Sequence, residues 1–376
     1  MSPRRLRILH ALGTMDPGGV ETWLLNVLKY IDRDRLEFHF CTFGEKPGLF
    51  AGEVERLGGR MVPCPRGLNP WSFSRRFRRI LREGKYDAVH SHVTFFSGAV
   101  LRWAKAEGIS MRIAHSHASQ DDKPNTHARR YYRRMMQSWI ERYATCGLAV
   151  SRSAAVELFG QGWKDDVRFS ILHCGIDLLP FQKPTARDEV RTELGLPLDV
   201  PIVGHVGRFV PAKNHRFLLE IFRALLQKQP DIHLLLVGDG VLRTQIEAQA
   251  KSMGFSGNVH FAGTRIDVPR LMRASMDVFV FPSLWEGLPV TLIEAQAAGL
   301  RSIVSDRVTS EASILGDQFT QLPLTKRSDE WAARAVEALH RGKAEASSAL
   351  NAVAQSDFCI QKSSSTLSSL YAASAG

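Results

Sequence analysis

A strand, a glycine-bearing turn and a helix follow one another twice in this chain, once from Leu6 and again from Pro201. The first copy runs Leu6-Arg7-Ile8-Leu9-His10, then Gly13 and Gly18-Gly19, then Val20 to Leu28. Apolar residues at 20, 24, 27, 28 and 31 place one stripe on that helix. The second copy runs Pro201 to Val206, then Gly207-Arg208, then a helix from about Asn214 carrying Phe217, Leu218, Ile221, Phe222 and Leu225. Further strands are expected at 37–43, 86–90, 111–115, 146–150 and 170–173, and in the second half at 232–237, 258–262, 277–281 and 302–305. Helical patterns lie between them, as parallel sheets require. The expected class is therefore α/β, with two Rossmann-like domains. At 376 residues the chain can bury two cores of ordinary size. The segment 175–193, with Pro180 and Pro184, is expected as the linker. That sets the domains at 1–178 and 185–355, with a further helix expected late in the 356–376 tail.

Composition narrows the partners. No apolar run approaches the roughly 20 residues that span a bilayer. The apolar part behind Arg4, Arg5 and Arg7 is too short for a signal peptide and runs into Gly13 and Asp16. Cys41, Cys64, Cys146, Cys174 and Cys359 are scattered, without a Cys-x-x-Cys pair, which suits reduced thiols of a cytoplasmic protein. The net charge of +11 points to an anionic partner. Arg75, Arg76, Arg78, Arg79 and Arg82 interleave with Phe73, Phe77, Ile80 and Leu81. Arg129, Arg130, Arg133 and Arg134 interleave with Tyr131, Tyr132, Met135 and Met136. Both suit amphipathic helices that either lie on anionic lipid or simply cover the core. No nucleic-acid module accompanies the charge, so nucleic acid is not an expected partner.

Chemistry concentrates in a few loops. Glu286-Gly287-Leu288-Pro289-Val290 precedes a helix that holds Glu294, and a strand at 277–281 leads into it. Pro289 suits the first helical position and Gly299 the end. Carboxylates there accept from hydroxyls, while free amides at the helix start suit an anion. Arg208 and Lys213 stand five apart in the loop before the 214 helix, two cations that can neutralise a diphosphate. Gly18-Gly19 admits close backbone approach but lacks both the dinucleotide fingerprint and the Walker lysine. His90-Ser91-His92 and His115-Ser116-His117 sit at two strand ends. Val237-Gly238-Asp239-Gly240 and Gly263-Thr264-Arg265 follow two more strands.

Residues 281–299 resemble the Glu-x7-Glu signature of retaining glycosyltransferases with two Rossmann-like domains, the GT-B fold. Met15-Asp16-Pro17-Gly18-Gly19-Val20-Glu21-Thr22 resembles the N-terminal loop of glycosyltransferase family 4, especially its exopolysaccharide-type members. Gly207 to His215 resembles that family's donor-diphosphate loop. The resemblance implies two sheets facing a cleft, with the last helix crossing back onto the first domain. It implies a nucleotide-diphosphate sugar, with UDP favoured. Glu294 would hold the ribose, Arg208 and Lys213 the diphosphate, and Glu286 the sugar hydroxyls. Gly287, Leu288, Pro289 and Val290 would line the donor, and Gly238, Thr264 and Arg265 would border the base. Gly18 and Gly19 would close over the phosphates. A histidine near the transferred sugar matches His117, with His115 as the alternative; His90, His92 and His115 are candidates for the acceptor side. Asp177, in a variant of the family's hinge motif, would be structural.

The resemblance implies no cofactor or metal, and it implies retention by a front-face mechanism, with no carboxylate assigned as a nucleophile. The acceptor would be a saccharide or polyprenyl-linked saccharide of surface glycan assembly. The protein would work in the cytoplasm or at the inner face of the membrane. A nucleotide-sugar epimerase and a non-catalytic nucleotide-sugar binder share the fold and remain as alternatives.

Overall fold

The computed structural model describes residues 4–120, 124–255 and 257–373. The chain divides into two compact units. One takes the residues up to Gly175 together with those from Ile360 onward, and the other is Ile176–Cys359.

The first unit carries β1 (Leu6–Leu12), β2 (Leu36–Thr42), β3 (Arg60–Pro63), β4 (Ala88–Ser91), β5 (Met111–Ser116), β6 (Cys146–Ala149) and β7 (Phe169–Ile171). They form one parallel sheet in the order β3-β2-β1-β4-β5-β6-β7. The second unit carries β8 (Ile202–Val206), β9 (His233–Val237), β10 (Val259–Gly263), β11 (Val278–Phe281), β12 (Arg301–Ser305) and β13 (Phe319–Leu322). These are also all parallel, in the order β10-β9-β8-β11-β12-β13. In each sheet the chain steps outward from its first strand and then returns to the other side of it. The crevice that opens at such a reversal, beyond the carboxyl ends of the strands, is where open α/β sheets take ligands. It lies between β1 and β4 in one unit and between β8 and β11 in the other. Both units are Rossmann-like domains, as expected.

The central strands are buried on both faces and read as nearly continuous apolar runs; Val278, Phe279, Val280 and Phe281 are all fully covered. The sequence reading missed β3 and β13. Both are edge strands with half-exposed residues, and neither has the apolar run that marks a central strand. The expected linker needs correction as well. Arg187–Glu193 is a helix of the second unit, and Arg191 is fully buried there. Its guanidinium donates to the carbonyls of Pro197, Leu198, Val200 and Ser275 and pairs with Asp277 at 2.8 Å. Asp277 also accepts from the Ile202 amide at 2.8 Å, so this cluster ties together the entries to β8 and β11. Asp177 accepts the Leu179 amide at 3.0 Å, a turn-closing contact in keeping with a structural role.

The final helix, Ile360–Ala373, belongs to the first unit despite its place in sequence. It packs on the Gly19–Tyr30 helix. Ser363 and Ser364 lower its intrinsic propensity, yet both are buried. Their small side chains permit close approach, and Ser363 Oγ accepts the Trp23 indole N–H at 3.3 Å. Tyr371, fully buried, puts its hydroxyl 2.6 Å from His90 Nδ1. Tyr371→Ala is expected to destabilise the first unit by about 3–5 kcal/mol, the usual cost of removing a buried aromatic ring. A urea melt followed by far-UV circular dichroism measures it, and a shift under about 1 kcal/mol would show that the helix is not anchored there.

Candidate functional site

In the second unit the site residues come from the loops after β8 and β11, on either side of the topological reversal. Gly207, Arg208 and Phe209 leave β8, and a single 3-10 turn, Pro211–Lys213, precedes the His215–Lys228 helix. Asn214 joins them in the left-handed region (φ 54°), and its side-chain amide donates to the Pro282 carbonyl at 3.1 Å. The Leu284 amide donates to the Ala212 carbonyl at 2.7 Å, so the two loops are tied directly. Neighbouring loops are stitched to the same frame. The Gly207 amide donates to the Val237 carbonyl, Phe209 to Asp239, and Gly238 to Gly263. Gly238 (φ 135°) lies so close to Gly207 that a Cβ would collide with the Gly207 carbonyl, which explains why glycine stands there.

Within this frame Lys213 Nζ lies 2.6 Å from Glu286 Oε1 and 4.7 Å from the centroid of the Phe281 ring. The lysine stem crosses the face of Gly207, where a Cβ would meet Cδ and Cε at 3.2 Å. Both charged groups are mostly buried, with side chains 16 % and 12 % exposed. Arg208, by contrast, is exposed, and its side chain makes no hydrogen bond or ion pair among the described residues. One cation is thus held by a carboxylate and the other is open to an anion.

Glu294 sits on the Val290–Ala297 helix, half-buried, and burial raises its carboxyl pKa to about 7. Pro289 is the cap of this helix (φ −77°, ψ 100°) and not its first helical residue, a correction of one position. No side chain caps the helix start. Thr291 Oγ1 in its first turn is buried without a hydrogen-bond partner among the described residues, and Ser283 Oγ on the preceding loop is the same. Neither was singled out from the sequence. An orphaned hydroxyl becomes visible only when its neighbours are known. Gln296, on the inner side of the helix, accepts the amides of Ile314 and Leu315 and donates to Ala312, so it fixes the 310–315 loop.

Thr264 is exposed on the loop after β10. Arg265 is engaged elsewhere: its guanidinium pairs with Glu193 at 2.6 Å and Asp267 at 2.8 Å. Only its backbone is left for a ligand.

The first unit assembles a different constellation. Gly18 is the N-cap of the Gly19–Tyr30 helix in extended backbone (φ −163°), so its role concerns space and not dihedral freedom. A Cβ there would run into the Glu21 carboxylate, which complements the positive helix start. His90, His92, His115 and His117 share one face of the sheet, joined by His10 of β1, which lies in register with His90. His10 Nδ1 is 3.1 Å from His92 Nε2, and His92 Nδ1 is 2.9 Å from His117 Nε2. His90 Nε2 is 3.1 Å from His115 Nδ1. Burial holds all five imidazoles neutral at pH 7, with His10 and His117 lowered to about 3. His90 and His115 are completely buried, whereas His117 is partly exposed. Of the two candidates in the Ala114-His115-Ser116-His117 stretch, His117 is the one open to a ligand.

A cleft of about 530 Å³ opens at the carboxyl ends of β1, β2, β4 and β5 in the same unit. Arg66 and Arg129, together with Phe43, Phe95, Phe96 and Tyr132, shape it. The Arg66 guanidinium lies 4.0 Å over Phe96 and that of Arg129 4.7 Å over Tyr132. Glu157 also lines the wall and is paired with Arg133 at 2.7 Å. Arg66 escaped notice in the sequence because it belongs to neither basic cluster. All five cysteines are free thiols, four of them buried.

Two Rossmann-like domains, with acidic and basic groups gathered at the second domain's strand reversal, define a glycosyltransferase of GT-B fold. The family model described as Glycosyltransferase Family 4 matches residues 17–178, and that described as Glycosyl transferases group 1 matches residues 186–355. The chain belongs to family 4 of the glycosyltransferases and is an enzyme of the hexosyltransferase type. It is 34 % identical over 99 % of its length, and 97 % of the relative's, to a Bacillus subtilis protein named as a glycosyltransferase, EpsF. It is 29 % identical, over 61 % of its length and 60 % of the relative's, to the Escherichia coli UDP-Gal:α-D-GlcNAc-diphosphoundecaprenol α-1,3-galactosyltransferase. Among solved structures, Anabaena HepE in complex with UDP-glucose superposes with a TM-score of 0.81 over 98 % of this chain and 100 % of that one, at 20 % identity.

Proposed function

We propose that the protein transfers a sugar, with retention of anomeric configuration, from a nucleotide-diphosphate donor to a saccharide or polyprenyl-linked saccharide in exopolysaccharide or surface glycan assembly. The donor is a UDP-sugar in this reading. The observation that carries it is the Lys213–Glu286 pair across the β8/β11 reversal, beside the unpaired Arg208. A diphosphate placed there meets two cations at once, which offset the charge that develops as the nucleotide departs. Glu294 accepts from the ribose hydroxyls, and Glu286 orders the sugar hydroxyls while restraining Lys213. No carboxylate needs to act as a nucleophile; the departing diphosphate takes the acceptor's proton. With its charge met by Arg208 and Lys213, donor binding calls for no metal. Two relatives support the donor: HepE was crystallised with UDP-glucose, and the Escherichia coli enzyme is named for UDP-galactose.

On the acceptor side the first unit's cleft supports a phosphate-bearing substrate. Its guanidinium groups suit a phosphate and its rings suit sugar faces or the start of an apolar chain. The Escherichia coli relative is named for a diphosphoundecaprenol-linked acceptor.

A panel of UDP-, GDP- and ADP-sugars tests the reading by calorimetry and by donor hydrolysis. UDP-sugars are expected to bind most tightly. Failure of every nucleotide sugar to bind would sink the proposal, and conversion of donor to an isomer without acceptor would turn it towards an epimerase.

Work at the inner face of a membrane belongs to the same proposal. Among the described residues no helix is long and apolar enough to cross a bilayer. On the Pro70–Gly84 helix, Phe73, Phe77 and Leu81 face the core. Arg78 and Arg82 are paired with Glu107, and Arg76 donates to the Pro65 carbonyl. Arg75 and Arg79 remain exposed, near the outward Leu68 and Trp71. Arg75→Ser with Arg79→Ser is expected to weaken binding to anionic vesicles roughly thirtyfold, at about 1 kcal/mol per charge. Unchanged vesicle binding removes the membrane from the proposal.

A further inference from the structure

We propose that the first unit contains a transition-metal site, with His92, His115 and His117 as ligands for a divalent cation of the zinc class. Alternation along a strand is the starting point. His90 and His92 stand two apart at the end of β4, as do His115 and His117 at the end of β5, so all four imidazoles leave the sheet on one face. β4 and β5 are neighbours, which brings the two pairs together. His92, His115 and His117 each offer one nitrogen, and these nitrogens lie within 4.8 Å of one another.

His92 and His117 turn one nitrogen each towards the other, and the second nitrogen of each ring has an outer partner. His92 presents Nδ1 and keeps Nε2 on His10 at 3.1 Å. His115 keeps Nδ1 on His90 at 3.1 Å, and His90 in turn contacts the Tyr371 hydroxyl at 2.6 Å. The remaining His115 Nε2 is buried and has no partner in hydrogen-bond geometry among the described residues, although the Leu172 backbone lies near. His117 presents Nε2 and keeps Nδ1 3.9 Å from Cys174 Sγ. Outer hydrogen bonds of this kind fix the tautomer and orientation of metal-bound imidazoles.

His92 Nδ1 and His117 Nε2 face each other at 2.9 Å. Nitrogens on a tetrahedral ion at about 2.0–2.1 Å are about 3.3 Å apart, so a small ring rotation admits the metal. An all-imidazole set selects zinc, copper or nickel over calcium or magnesium, which take oxygen ligands. His92 lines the first unit's cleft, which supplies the entry path. The site owes nothing to the donor chemistry of the second unit.

The test uses the untagged full chain, stripped with a chelator and titrated with Zn²⁺ at pH 7.5 against a fluorescent competitor. One equivalent is expected to bind below about 1 μM, with His92→Gln and His115→Gln each weakening it at least tenfold. Co²⁺ on the unaltered protein, which needs no variant to fold, is expected to give the intense visible bands of tetrahedral nitrogen ligation. His10, His90 and His92 form a competing group, which His115→Gln would spare, and His233 and His260, a half-exposed pair 2.8 Å apart in the second unit, are another, so His260→Gln is expected to leave the equivalent in place. Absence of any binding tighter than about 10 μM, a Co²⁺ spectrum of octahedral type, or loss of the equivalent only in His260→Gln would overturn the proposal.

Discussion

Replacing Lys213 by alanine is expected to cut kcat/KM for sugar transfer by about 10²–10³-fold, the scale for removing one preorganised charge from a developing anion. Donor affinity should fall by less, because charge builds on the departing diphosphate as the bond to the sugar breaks. Glu286→Ala is expected to be comparably damaging for two reasons at once. It removes the proposed contact with the sugar hydroxyls, and it frees Lys213 from the 2.6 Å pair that holds its ammonium over Phe281. Since the two side chains share one interaction, their losses should not add: the double variant should be little worse than the poorer single one. Arg208→Gln combined with Lys213→Ala should also fall short of the summed losses, because in the proposed site both cations act on one diphosphate. Near-normal turnover in either single variant, with an unchanged urea melt, would remove the pair from the chemistry.

The second large effect is on pH. Nucleotide-sugar affinity is expected to climb about tenfold per pH unit below about 7 and to level off above it, because in its proposed role Glu294 accepts from the ribose hydroxyls as a carboxylate. Burial raises this carboxyl to about 7, so the free protein still carries the proton in mildly acid solution. Donor binding then releases it, which calorimetry in buffers of different ionisation enthalpy detects. A nucleotide sugar is the right probe, since its phosphodiester groups do not titrate near neutrality. Stability runs the opposite way. The folded state holds the Glu294 proton more tightly than the unfolded chain does, so this residue lowers stability as pH rises from the usual carboxyl value through 7. Glu294→Gln should bind donor weakly, with a flat pH profile, and should lose that decline in stability. A variant that keeps the wild-type slope would show that another group titrates.

Much of this was legible in the sequence because it rests on local periodicity. The repeated strand, glycine turn and helix announced two Rossmann-like domains, and the central strands fell where apolar runs stood. Loops bearing Arg208, Lys213 and Glu286 were found because each follows a buried strand and precedes a helix, and Glu294 because it lies on the helix after one of them. The last helix was also legible, although Ser363 and Ser364 argue against it locally, since burial against Trp23 overrides intrinsic propensity. What escaped was what local pattern does not encode. The edge strands β3 and β13 show no apolar run, and Arg191 is an ordinary surface residue by composition until the carbonyls of four loop residues close around it.

By itself, then, the sequence determined the alternation: which residues leave a strand on one face, where glycine is obligatory, where each helix begins. Strand order it could not determine, because order depends on which buried edges meet, and that is a global choice among packings. The reversal of order brings β8 beside β11 and so sets Lys213 against Glu286, 73 positions away. The same reversal sets β1 beside β4, and with β5 it gathers five histidines from three strands onto one face. Spacing in the chain supplied the candidates, and adjacency in the sheets made them partners.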